Sequence, residues 1–229
     1  MKKNFIIVAA VSTVAIASTA TSCVALATSS VGLTIIKQVL LGGITKGLNI
    51  FKDKNSFLSN NLIDQAIPTQ LQKVNSTLQS IGLSSLVAKE KDYIAQAAAY
   101  TVGVAQPILT NAVNNLTTED AARIAQGGSG VATQILREKT ESQLIAAITP
   151  KVDEKLNQFG IVKSINTALS GSNLLGSLLG NNNSNSSALS GGLSHLASQQ
   201  LVNGLFNIIQ KHEIDNTSLL KNALNQNLK

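Results

Sequence analysis

The stretch Leu116-Thr117-Thr118-Glu119-Asp120-Ala121-Ala122-Arg123-Ile124-Ala125-Gln126-Gly127-Gly128-Ser129-Gly130-Val131 decides the fold. Thr117 and Asp120 have the spacing of a capping box, in which a hydroxyl and a carboxylate each satisfy a free N–H at a helix start. Glu119 and Asp120 also lie where the positive end of the helix dipole favours a carboxylate. This spacing predicts a helix over 119–126, a stop at the glycine corner 127–130, and a second helix over 131–149. No alternating strand pattern follows on either side, so the segment reads as helix packed on helix.

The same period continues outward. Ile135, Leu136, Leu144, Ile145 and Ile148 mark one helical face, and Pro150 restarts the pattern through Val152, Leu156 and Phe159. A short amphipathic piece over 161–169 comes next, and further helices are expected over 193–211 and 217–228. Upstream, Leu71, Val74, Leu78 and Ile81 repeat at helical spacing between Pro68 and Gly82. Residues 86–116 are helical in composition, and Pro107 is expected to kink or divide them because it lacks an N–H. Ile35, Ile36, Val39, Leu40, Ile44 and Leu48 give another helix, 49–61 reads as turns, and 62–66 as a short segment. Residues 170–192 are rich in Asn, Ser and Gly and bury too little to offset ordering entropy. The expected fold is therefore all-α: a single helical domain over 34–229, with a mobile Asn/Ser-rich insertion at 170–192.

The N-terminus has a different character. Lys2 and Lys3 precede an apolar run from Phe5 to Ala17, then small residues Ala20, Thr21 and Ser22, then Cys23. Thirteen residues make a helix of about 20 Å, short of a hydrocarbon core of roughly 30 Å, so the run reads as a signal peptide and not a span. Cys23 is the lone cysteine and stands where processing would end. Residues 1–22 are thus expected to be a lipoprotein signal peptide, Cys23 its lipidation site, and 23–33 a tether. The place expected for the domain is the bacterial cell envelope, lipid-anchored to a membrane, the outer one by preference. Secretion to the periplasm is the alternative.

Composition narrows the chemistry. The chain has 229 residues, 18 Lys plus Arg against 12 Asp plus Glu, and only 13% charged residues. One Cys and two His support no metal cluster, and 3% aromatics with no Trp exclude a base-stacking surface. The basic residues are dispersed, which argues against a nucleic-acid footprint. No cofactor is expected. The glycine corner lacks the Lys-Ser/Thr ending of a phosphate loop. His195 and His212 read as surface and helix-end residues. Arg123 and Arg137, the two arginines, flank the glycine corner and form a possible anion-binding pair. Ala95, Ala98, Ala99 and Gly103 form a small-residue stretch that could leave an apolar pocket between helices. Glu90, Glu138 and Asp153 are the carboxylates from which an acid site could be built.

Three segments resemble a bacterial family of secreted or lipid-anchored helical proteins, domain-of-unknown-function family 4197. The first is Leu62-Ile63-Asp64-Gln65-Ala66-Ile67-Pro68 with Leu71, Val74, Leu78 and Gly82. The second is Leu116 to Gly127 with Thr133, Arg137 and Thr140, and the third is Ile148-Thr149-Pro150-Lys151-Val152, supported by Gly204-Leu205-Phe206 and by Thr217 to Lys221. The sequence departs from the family pattern at Ala95-Gln96-Ala97-Ala98-Ala99 and at Gly130-Val131-Ala132-Thr133, where the family carries more polar groups. The resemblance implies an all-helical fold in an envelope setting and supplies no activity. The expected role is an envelope-associated helical lipoprotein acting as a binding or structural module. The alternatives are a carrier or sensor of a small apolar ligand, and an enzyme using Arg123, Arg137 and a carboxylate. The partners to expect are a membrane, an envelope protein or that apolar ligand.

Overall fold

The computed structural model describes residues 29–170 and 186–218. The expected leader, Cys23, most of the insertion expected over 170–192 and most of the helix expected over 217–228 lie outside the described residues. Among the described residues the fold is all-α, with nine helices and no strand: α1 (Ser30–Lys52), α2 (Lys54–Leu58), α3 (Asn61–Asp64), α4 (Thr69–Ser80), α5 (Ser84–Asn114), α6 (Thr118–Gly127), α7 (Val131–Gln158), α8 (Ile161–Ser170) and α9 (Ser186–Asp215).

Four long helices, α1, α5, α7 and α9, form the frame, each packed on two of the others. Their register is antiparallel all the way round. Lys37 of α1 donates to the Asn114 carbonyl at the far end of α5. Tyr93 of α5 stacks on Phe159 just past α7, and Lys155 lies over Tyr100. Asp153 of α7 meets Ser194 of α9, and Thr133 meets Glu213.

Helix α1 is, among the described residues, the one helix long and apolar enough to cross a membrane, with a mean hydropathy of 1.3. It is also a bundle helix. Ile36, Leu40, Ile44, Leu48 and Phe51 recur at intervals of 3 and 4 and are buried. Gly43 and Gly47 let α9 approach. A Cβ at Gly43 would lie 3.2 Å from the Ile209 Cα, and one at Gly47 would run into the end of the Leu205 side chain. Gly43→Val is therefore expected to lower stability by about 1–3 kcal/mol, because the backbone of α9 must move away. A urea titration that left the midpoint unchanged would show that the two helices are free to separate.

The structure corrects several boundaries. Helix α1 starts at Ser30, inside the expected tether, and is capped by the Ser29 hydroxyl, which accepts from Gly32 N–H at 3.1 Å. Residues 49–61 are not a run of turns but the end of α1, all of α2 and the start of α3. Helix α9 begins at Ser186, so the last residues of the expected insertion are helical. Pro107 and Pro150 divide nothing; each lies inside a continuous helix. Both prolines face solvent, as do Gly103 and Ala146, the residues four positions earlier. Water can take the two carbonyls that lose their helical donor, so the usual penalty is softened.

Candidate functional site

The most concentrated polar chemistry lies at the end of the bundle where α6 meets α7. Thr117 and Asp120 form the capping box. The Thr117 hydroxyl accepts from Asp120 N–H at 3.1 Å, and Asp120 Oδ2 accepts from Thr117 N–H at 2.9 Å. Lys139 of α7 reaches back to Asp120 Oδ2 at 3.0 Å. Burial pushes the Asp120 carboxyl up, but the Thr117 N–H, Lys139 and the Thr117 hydroxyl together hold it below the usual range. After α6 the chain turns through Gly128 and Gly130, whose φ angles are +83° and +91°. Side chains rarely adopt that conformation, so the glycines permit the corner.

The corner aims the first N–H groups of α7 into the protein, where a carboxylate from 80 residues downstream receives them. Glu213 Oε1 accepts from Gly130 N–H at 2.9 Å and Ala132 N–H at 3.1 Å. Oε2 accepts from Thr133 N–H at 2.7 Å and the Thr133 hydroxyl at 2.6 Å. Glu213 is 1% exposed. Helix N-termini attract anions through their free donors and dipole. Here the anion is built in, and the corner is a clasp joining α7 to α9.

Arg123 and Arg137 flank this corner but serve separate partners. Arg123 pairs with Glu138 at 3.0 Å, and the guanidinium holds the Glu138 carboxyl below its ordinary range. Arg137 reaches Glu141 and Asn203, each at 2.9 Å, and lies 4.6 Å over the Phe206 ring. The small residues divide between two environments. Ala95 and Ala98 are buried in the core, whereas Ala99 and Gly103 are exposed. Two clefts open elsewhere, along α1. One of about 90 Å³ lies between α1 and α5, beside Thr45 and Gln106. A shallow one of about 510 Å³ lies over Gly42, Lys46 and Ser56.

Of the remaining candidates, Asp153 accepts from the Ser194 hydroxyl at 2.7 Å, and Glu138 belongs to Arg123. His195 is exposed beside Gln199, and His212 packs against Gly42. Among the described residues no group of three His, Cys, Asp or Glu side chains could hold a metal ion.

Glu90 is the exception among the carboxylates. It is 1% exposed on α5, and neither oxygen has a hydrogen-bond partner. Burial pushes its carboxyl up to about 7, against a smaller pull from Asn75 of α4 and from Lys91. Periodicity marks Glu90 as inward-facing, one turn from Val87 and Ile94, and that signal could have singled it out. Glu213 carries no comparable local signal, because its partners are set by the tertiary fold.

A model of a protein family described as "Protein of unknown function (DUF4197)" matches residues 27–218. No curated protein and no solved structure matches the chain.

Proposed function

The chain belongs to the DUF4197 family of proteins of unknown function, and we propose for it a helical module tethered to a bacterial envelope membrane through Cys23. The observation that carries the reading is the placement of Cys23. It is the lone cysteine, it follows the Lys2–Ser22 leader, and the matched stretch begins four residues after it, at residue 27. The Ser29 cap of α1 lies six positions further along the chain, a reach of about 20 Å when extended. Acylation at the sulfur and at a freed amino group would supply more than one chain, which stable anchoring requires.

The module acts by binding or by organising its surroundings. Glu213, Asp120, Arg123 and Arg137 are all engaged within the bundle, which supports a structural use for these groups and leaves the outer helix faces for a partner. An envelope protein is the partner this reading favours.

Metabolic labelling with an alkyne fatty acid is expected to mark the wild-type protein and to leave Cys23→Ala unmarked. The labelled protein should begin at residue 23. An unlabelled wild type, or a mature chain that still carries Met1, would overturn the anchor.

A further inference from the structure

We propose that the C-terminal segment 217–228 docks along the first turns of α1, on an apolar row that α9 leaves uncovered. Gly47, Gly43, Val39, Ile35 and Val31 stand four residues apart and so form one ridge along α1. Helix α9 occupies the later part of that ridge. Leu205 lies against Gly47 and Ile209 against Gly43, so the two helices match four residues for four in antiparallel register. Carried forward, this register sets Val39 level with residue 213, Ile35 with 217 and Val31 with 221. Helix α9 ends at Asp215. Val39 and Ile35 are accordingly only partly buried, and Val31 is 53% exposed.

The chain itself supplies the occupant. It leaves α9 between the levels of Val39 and Ile35, and Thr217 and Ser218 are again helical. The exit is tied to the last turn of α9. The Asn216 N–H and side-chain amide donate to the His212 carbonyl at 3.1 and 2.7 Å, and the Thr217 hydroxyl donates to the Glu213 carbonyl at 3.1 Å. The residues that follow carry the matching pattern. Leu219, Leu220, Ala223 and Leu224 share one helical face, which leaves Lys221, Asn222 and Asn225 on the other.

Length and tethering favour this occupant. Twelve residues of helix cover about 18 Å, and the ridge from Val39 to Val31 is about 12 Å long. A segment joined directly to α9 meets the ridge at an effective concentration on the order of millimolar, ahead of a second copy in dilute solution. Docking buries Val31 and fixes the start of α1.

The test is maleimide modification of the full chain at low micromolar concentration, with each site read by peptide mapping so that the native Cys23 is counted apart. Val31→Cys is expected to react more slowly than the exposed Thr34→Cys by on the order of 10-fold. Adding Leu219→Asn, Leu220→Asn and Leu224→Asn should bring the two rates together. Ser198→Cys, buried in α9, should stay unreactive throughout, which separates undocking from unfolding. Equal rates at the two positions before the asparagines are added would overturn the proposal, as would protection of Val31→Cys that survives them or a loss of protection shared by Ser198→Cys. Protection that rises with protein concentration would assign the ridge to a second copy. Protection that appears only with phosphatidylglycerol vesicles would assign it to a lipid surface. Either result would overturn docking by the C-terminal segment.

Discussion

Glu213→Ala is expected to lower the stability of the domain by about 3–5 kcal/mol, the largest effect of any single side-chain truncation proposed for this protein. The carboxylate receives three backbone N–H groups and one hydroxyl at the start of α7, and it is 1% exposed. Removing it strands those donors in the interior and breaks the four hydrogen bonds that join the end of α9 to the start of α7. For a chain of this size, such a loss lowers the melting temperature by on the order of 10 °C. Asp215→Ala is the control on the same helix. Asp215 is exposed and paired with Lys211, and its removal should leave the melting temperature nearly unchanged. If the two variants melt together, the clasp is not what ties α7 to α9.

Stability should also fall as pH rises toward neutrality, through Glu90. Its carboxyl sits at about 7 in the folded chain against an ordinary 4.5. The folded state therefore holds the proton more tightly than the unfolded chain. The stabilisation is fully present below 4.5 and is lost as pH rises to about 7, beyond which the difference is constant. The gap corresponds to about 3 kcal/mol. Asp53, Asp120, Glu138 and Asp215 are held below the carboxylate range. Their contributions are lost in the opposite direction, as pH falls through acid values. Urea midpoints of wild type and Glu90→Gln should thus converge near pH 5 and separate by pH 8.5, with the glutamine variant more stable. Parallel curves would place Glu90 in contact with water.

Much of the frame is legible in the sequence because it is local. Leu71, Val74 and Leu78 repeat every three or four residues, and all three are buried. Thr117 and Asp120 form the box that their spacing implies. The errors share one cause, which is that neighbours in space alter the cost of a local signal. Pro107 and Pro150 do not end their helices, because the carbonyls they orphan face water. The turn-like composition of 49–61 yields to packing, with Phe51 and Phe57 edge-to-face at 5.4 Å. The site chemistry was legible in part. The glycine corner is visible as a corner, but its anion comes from residue 213, and no periodicity announces a partner 80 positions away. Arg123 and Arg137 flank the corner in sequence, yet their carboxylate partners Glu138 and Glu141 lie on α7, one turn of helix apart from each other.

The clasp at Glu213 also dictates an order of events during synthesis. Helix α7 is complete once residue 158 has left the ribosome, yet the donors at its first turn find their acceptor only after some fifty further residues have emerged. Until then the glycine face of α1 has no α9 to pack against. Helix α9 is thus the bolt of the assembly, and a chaperone that guards the unfinished chain would have its substrate in the seam that α9 later fills.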